Sequence, residues 1–379
     1  MRNVELGIRS EELRMNKFKN IFSKLYIFSI IFIPLTSILL IIILVCMLSK
    51  TPSDTLYYFF IGPFSSIFHF GNMLNSSVPV IVGALGIIIA MKAGSLNLGG
   101  EGQVYLGAFV SAVIALHLSQ EASFLPAVLA AVIAITAGSL ISGAAAAFCG
   151  LCKAKWKTNE LITSFLLSCA IIPIINYLVT GPFMDTQTSL LSTKKIADNM
   201  RLQLILKPSG LNISIYFALV LVMITHFFMY NTKTGYRFRI TGLNEMFARY
   251  GGINIKINTV LAMALSGFMY GIAGSLVVFG THYAVIKEFS SGLGWSALTA
   301  ALFSGFSPLK ALPCALFLSW ISSGARIATQ NTDLAYEIAH IIQAVIFILS
   351  TSYLVKNNSL KEIFLYRFNS LIPLRKRKE

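Results

Sequence analysis

The sequence is poor in charged residues, and this shortage excludes most soluble folds. Charged side chains make up 12% of the 379 residues, while hydrophobic residues make up 56% and the mean hydropathy is +0.74. Soluble domains carry about 25% charged residues. A chain this apolar must bury most of its surface against lipid or other helices, so we expect an all-α polytopic membrane protein.

The sequence also lacks the common catalytic motifs. It has no G-x-x-x-x-G-K-[ST], H-E-x-x-H or G-x-S-x-G pattern. The first of these binds nucleotide phosphates, and the others mark metal-dependent or serine hydrolases. We therefore predict that the chain is not an enzyme, holds no cofactor or metal, and does not hydrolyse ATP itself.

Cysteine is scarce as well, with five residues in the chain. An odd number argues against a disulfide framework. Cys149 and Cys152 form a C-x-x-C pair, but no second cysteine pair or histidine cluster accompanies them. We interpret the pair as small residues at a helix end and not as a redox or metal site.

Long apolar runs occur instead, and ten of them approach the roughly 20 residues that a membrane-spanning helix needs. The first follows a mostly polar start and is too long for a signal peptide, the eighth is short, and Tyr57–Phe70 reads as an interfacial or re-entrant piece. We predict a transmembrane domain over 25–355 with spans at 25–48, 72–91, 103–119, 124–150, 160–180, 211–230, 257–280, 294–307, 310–328 and 335–355.

Acidic residues are half as common as basic ones, 15 against 30, and the net charge is +15. The basic residues lie at the ends of apolar runs and in the tails, which fits membrane orientation better than nucleic-acid binding. With the N-terminus inside, 23 Lys and Arg face the cytoplasm and 7 face outward. We therefore place the N-terminal segment 1–24 and the basic tail 356–379 in the cytoplasm.

Two polar connections stand out. The segment 231–256 carries five Lys and Arg and lies on the cytoplasmic side, where a soluble partner could bind it. The loop 181–210 lies outside, and it is either a contact for an extracytoplasmic partner or a plain connector.

Two glycine-rich segments resemble each other. One reads GEGQVYLGA over 100–108, and the other reads GLGWSALTA over 292–300. They start on opposite sides of the membrane, as an inverted repeat of spans 2–5 and 7–10 would require, and their similarity could also arise by chance. The overlapping glycine-rich segment AGSLNLGGEGQ (93–103) is either a broken helix beside a transport path or a tight cytoplasmic turn.

Small residues also recur in the seventh span. Gly267, Gly271 and Gly274 lie close to one helical face, which allows neighbouring helices to approach closely. Isolated polar residues such as His340 and Gln343 lie near predicted span ends, where water is close.

Four segments in order resemble one family, the permeases of ABC importers for nucleosides and simple sugars, which are similar to branched-chain amino acid permeases. They are AGSLNLGGEGQ (93–103), NELIT (159–163) with GPF (181–183), TGLNEMFARYGGI (241–253) with SG and GIAG (266–274), and GLGW (292–295). The GEGQ and GLGW forms are more similar to the nucleoside branch.

The resemblance implies a permease subunit in the bacterial cytoplasmic membrane that imports nucleosides, purine nucleosides foremost, by alternating access. Its partners would be an ABC ATPase, which uses the ATP, a second permease of the same or a homologous kind, and a substrate-binding lipoprotein. The candidate substrate-pathway residues are Asn97, Glu101, Gln103 and Trp295, and the candidate ATPase-coupling residues are Gly242, Asn244, Phe247, Ala248, Arg249, Tyr250 and Gly252.

One residue departs from the family pattern. Phe247 stands where the family has a small residue, so it is either an anchor for a particular ATPase or a sign of a shifted docking helix. Among functions, a simple sugar such as ribose or galactose is the alternative cargo. A stand-alone secondary transporter and a membrane enzyme are the alternatives from other classes.

Overall fold

The computed structural model describes residues 34–121, 126–290, 292–335, 337, 340–349 and 351. The predicted cytoplasmic segment 1–24, the tail 356–379 and the first part of span 25–48 lie outside the described residues. Within the described part the secondary structure is helical, and β-structure is limited to three isolated bridges near the external loop.

The helices follow the predicted apolar runs. They are α1 (Pro34–Leu48), α2 (Pro52–Phe60), α3 (Ile67–Lys92), α4 (Gly100–Glu121), α5 (Ala127–Trp156), α6 (Glu160–Thr180), α7 (Ser214–Asn231), α8 (Lys233–Leu243), α9 (Glu245–Tyr250), α10 (Ile255–Val277, continued by a π-helical turn to His282), α11 (Leu293–Phe303), α12 (Pro308–Asn331) and α13 (His340–Leu349).

Seven of the described helices are long and apolar enough to cross a membrane, and these are α3, α4, α5, α6, α7, α10 and α12. α11 has 11 residues and is therefore about 16 Å long, against about 30 Å for the hydrocarbon core. It is a half-helix and does not span alone. The number of membrane crossings and the location of the termini stay predictions.

One boundary differs from the expectation. Ile67–Phe70, predicted as part of an interfacial piece, forms the first turn of α3. Ser66 caps this helix by accepting a hydrogen bond from the His69 amide, which fixes the helix start several residues before the purely apolar run.

α3 and α10 form the centre of the bundle. In their most apolar windows, 89% and 72% of residues are buried, compared with 22% in α6. α3 packs against α11 and α12, while α10 packs against α4 and α5. The two central helices thus pack against different sets of neighbours, and the inverted repeat stays a prediction.

Small residues bring these helices together. A Cβ at Gly267 would lie 2.6 Å from the carbonyl oxygen of Ser142 on α5, and one at Gly271 would lie 2.5 Å from the Cα of Ser139. A Cβ at Gly274 would overlap a backbone carbonyl of α4. The three glycines thus lie where α10 meets its two neighbours, backbone against backbone.

The loop 181–210 packs on the chain that follows α10. The amides of Thr193, Ile196 and Leu202 donate hydrogen bonds to the carbonyls of Val285, Tyr283 and Phe279 at 2.8–3.0 Å. These contacts hold the loop at the end of the bundle opposite α8 and α9.

Asp333 lies beyond the end of α12. Its carboxylate accepts hydrogen bonds from the Lys50 amide and the Ser49 hydroxyl, both at 2.8 Å. These bonds, the Lys50 amide first, lower the pKa of Asp333. The contact joins the α1–α2 turn to the end of α12.

Candidate functional site

The segment between α3 and α4 is a broken helix held by an amide pair. Asn97 is fully buried, and its Nδ2 donates to the Gln103 Oε1 at 2.7 Å while its Oδ1 accepts from the Gln103 Nε2 at 3.1 Å. The Asn97 Oδ1 also accepts from the Gly99 amide at 3.0 Å, and its Nδ2 reaches the Ser266 Oγ on α10 at 3.1 Å. The pair therefore supports the non-helical backbone and ties it to the central helix.

The start of α4 meets the start of the half-helix α11 through Glu101. Its Oε1 accepts hydrogen bonds from the backbone amides of Gly294 at 3.0 Å and Trp295 at 3.3 Å. A Cβ at Gly294 would lie 2.6 Å from the Glu101 backbone nitrogen. A carboxylate at a helix start satisfies free amides and suits the helix dipole. Glu101 thus joins the start of α4 to the start of α11.

The predicted pathway residues differ in their surroundings. Asn97 and Gln103 are buried and bonded to each other, whereas Trp295 is 45% exposed. The geometry gives the two amides a role in shaping the broken helix and leaves the indole accessible. Contact of any of these residues with a transported solute stays a prediction.

The segment 231–256 contains two short helices, α8 and α9, separated by Asn244. The Asn244 side chain caps α9 by accepting a hydrogen bond from the Phe247 amide at 3.0 Å. Ala248 is fully buried against the protein body, and Gly252 turns the chain toward α10 with a φ of +75°, which glycine adopts without strain.

One face of this segment carries exposed apolar side chains. Three of them, Met246, Phe247 and Tyr250, lie on α9, and the fourth, Leu243, is the last residue of α8. Such a stripe is the pattern by which a helix binds in a groove of a partner. The four residues, here termed the docking stripe, are Leu243, Met246, Phe247 and Tyr250, exposed by 75%, 59%, 62% and 86%. Phe247 therefore points outward, while the neighbouring Ala248 fits inside.

Gly242 connects the docking stripe to the broken helix. A Cβ at Gly242 would overlap the Lys92 carbonyl oxygen and lie 2.9 Å from the Gly94 amide nitrogen. Gly94 itself has a φ of +75°. The end of α8 and the turn before α4 therefore touch backbone to backbone, with no side chain between them to absorb a displacement.

Lys153, which the sequence analysis did not single out, holds this turn. Its Nζ donates to the Gly94 carbonyl at 2.9 Å and the Ser95 Oγ at 3.0 Å, and it pairs with Glu160 at 2.6 Å. The pair lines a cavity of about 580 Å³ that Arg249 also lines. The opposite charges at the ends of α5 and α6 are the only sequence signal for this contact.

The described residues contain no group of three His, Cys, Asp or Glu that could hold a metal ion. Cys149 and Cys152 are buried free thiols, and the Cys149 Sγ contacts the Ala145 carbonyl of its own helix. They occupy helix packing positions near the end of α5.

Seven apolar helices long enough to cross a membrane, packed around α3 and α10, define a polytopic membrane protein. Comparison with known sequences identifies the family. Residues 70–351 match the family described as branched-chain amino acid transport system / permease component, and the chain belongs to this family.

Three curated relatives match most of the chain. The probable riboflavin import permease protein RfuC of Treponema pallidum is 33% identical and covers 81% of this chain and 80% of its own length. The guanosine ABC transporter permease protein NupP of Bacillus subtilis is 26% identical over 78% of this chain and 84% of its own. The glucose ABC transporter permease protein TsgB13 of Haloferax volcanii is 28% identical over 82% and 83%.

Proposed function

We propose that this protein is the membrane-spanning subunit of an ATP-driven ABC importer that carries nucleosides, purine nucleosides foremost, into a bacterial cell. Membership of the permease family supports the transporter role, and the guanosine permease among its relatives supports the cargo. The docking stripe is the structural observation that carries ATP coupling, because its four large apolar side chains are exposed in this chain and need a partner surface.

The contacts suggest how the two processes are linked. When two ATPase subunits close on ATP, a groove holding the docking stripe moves α8 and α9. Gly242 passes this motion to the turn at Gly94, because their backbones touch. The turn leads into α4, and Glu101 connects the start of α4 to the start of α11. One displacement at the cytoplasmic surface thus reaches the starts of both α4 and α11, which is what alternating access requires.

The importer needs further subunits. A second permease, identical or homologous, would complete the pathway, and two ATPases would supply the energy. A binding lipoprotein would deliver the solute outside the cytoplasmic membrane, where the packed loop 181–210 offers a preformed surface.

Riboflavin is the second candidate cargo. The relative that carries its name has the highest identity of the three reported above, 33%. Riboflavin and nucleosides share a flat nitrogen heterocycle attached to a ribose-derived chain, so the same permease chemistry suits both. A simple sugar lacks the nitrogen heterocycle. Because one of the relatives is a glucose permease, the test also includes sugars as a possible cargo.

Uptake of radiolabelled guanosine tests the proposal in cells with the gene deleted and restored. We expect restored cells to accumulate guanosine, unlabelled nucleosides to compete, and ATP depletion to stop uptake. Competition by riboflavin alone would assign riboflavin as the cargo, and competition by glucose and ribose alone would assign a sugar. Uptake that survives ATP depletion and stops when an ion gradient is collapsed would replace the ABC importer with a secondary transporter.

A further inference from the structure

A small pocket lies between α11 and α13, beside the junction of α11 with α4. It has a volume of about 270 Å³, and its walls include Trp295, Thr299, His340, Gln343 and Phe347. Typical pockets for drug-sized ligands measure about 300–1,000 Å³. The pocket therefore has the size for one ring system with a short substituent.

Aromatic rings form two of its walls. Trp295 and Phe347 meet edge to face, with ring centroids 6.4 Å apart and planes at 85°. Trp295 keeps 45% of its surface exposed although its backbone amide is held by Glu101. A fixed backbone with an accessible indole presents a rigid apolar face to a ligand at low entropic cost.

Polar groups lie at another edge. The Gln343 Nε2 donates to the Ser296 Oγ at 2.6 Å, which fixes the amide against α11. The amide has a second N–H and a carbonyl oxygen, for which the described residues supply no hydrogen-bond partner. An amide held in this way can donate and accept at once, as the edge of a heteroaromatic ring requires.

The spacing along each helix explains why these residues converge. Trp295 and Thr299 are four positions apart on α11, and His340, Gln343 and Phe347 are three and seven positions apart on α13. Each set shares one helical face. Because α11 begins at the junction with α4, this face lies beside the point where the two repeats meet.

We propose that this pocket is a binding subsite for the heteroaromatic ring of the transported solute, with Trp295 and Phe347 as its apolar walls and Gln343 as its polar edge. The inference rests on the proposed import of nucleosides and names the place where the permease holds the base. A sugar such as ribose has no aromatic base to stack on the indole, so we expect the subsite to favour nucleosides over sugars.

Intrinsic fluorescence tests the subsite in the full chain, purified with its ATPase and permease partners in lipid nanodiscs without the binding protein. Guanosine is titrated with excitation at a wavelength where tryptophan absorbs and guanosine does not, and ribose is the control ligand. We expect guanosine to change the emission of the native protein and of Trp156→Phe, and the change to be lost in Trp295→Phe. Trp156 is a matched control, because it is 62% exposed and lies at the far end of α5.

Uptake supplies the second measurement. Stacking of a base on an aromatic side chain is worth about 1–3 kcal/mol, which corresponds to roughly 5- to 150-fold. We expect Trp295→Ala to lower the rate of guanosine uptake by such a factor relative to Trp295→Phe, at equal amounts in the membrane, and Trp156→Ala to leave it unchanged. Gln343→Leu should weaken uptake of guanosine more than uptake of a purine nucleoside with fewer polar ring atoms.

The outcomes separate the two proposals. An emission change that persists in Trp295→Phe, or an equal change with ribose, would overturn the subsite. So would normal guanosine uptake by Trp295→Ala. Failure of the native protein to take up any nucleoside would instead overturn the proposed function, whatever the fluorescence shows.

Discussion

Glu101 offers the sharpest test of how α4 and α11 are joined. Its Oε1 accepts hydrogen bonds from the amides of Gly294 and Trp295, which connect the start of α4 to the start of α11. Replacement by alanine removes both bonds and leaves amides at the start of α11 without an acceptor. A hydrogen bond to a charged group contributes about 1.5–3 kcal/mol, and a buried donor without a partner costs about 1–3 kcal/mol.

The size of the effect follows from the two distances. The bond to the Gly294 amide, at 3.0 Å and to a buried residue, should contribute its full energy to stability. The bond to the Trp295 amide, at 3.3 Å and to a partly exposed residue, should contribute less. We therefore expect Glu101→Ala to lower the free energy of unfolding by about 2–4 kcal/mol. Glu101→Gln retains a carbonyl acceptor of the same length but no charge, and since charged hydrogen bonds are about twice as strong as neutral ones, it should lose roughly half as much.

The assay pairs unfolding in mixed detergent micelles with guanosine uptake in cells. Stability and uptake should both decrease in the order native, Glu101→Gln, Glu101→Ala. Asp54→Ala, which removes an exposed acid from the first turn of α2, is the control and should change neither. If Glu101→Gln folds like the native protein yet transports no better than Glu101→Ala, the charge itself is needed, and the role of Glu101 as a connection between α4 and α11 is refuted.

Three further predictions concern the coupling route and the packing. Arg249→Glu combined with Phe247→Ala should uncouple transport from ATP hydrolysis. The ATPase subunits should no longer co-purify with the permease, which should stay in the membrane. Undiminished uptake would contradict the assignment of the docking stripe. Lys153→Met should reduce uptake, and the charge reversal of Lys153 and Glu160 together should not restore it, because the reversed pair cannot donate to the carbonyl of the turn before α4. Gly274→Leu should lower the free energy of unfolding by about 1–3 kcal/mol or more, because the larger side chain forces α10 away from α4. Size-exclusion chromatography should then show a loss of monodisperse protein, and a native elution profile would argue against this packing.

The candidate site was predictable only in part. The docking stripe could be located because its polar surroundings contrast with apolar runs on both sides, and the broken helices because glycines cluster at 94–102 and 292–294. The contacts within the site were not predictable. Lys153 reaches Gly94 across 59 positions, and Glu101 reaches Gly294 across 193. No local pattern encodes such pairs, because they depend on how whole helices pack.

The sequence by itself determined the membrane class, the positions of the apolar helices and the orientation that the positive charges favour. These properties are local, since the length of an apolar run and the charges at its ends fix whether and how a segment enters lipid. Only the tertiary structure decided that α3 and α10 form the centre, that the starts of α4 and α11 meet at Glu101, and that Trp295 faces a pocket shared with α13. Those features arise from close contacts between helices distant in the chain, where the fit of small residues and single hydrogen bonds selects one arrangement among many.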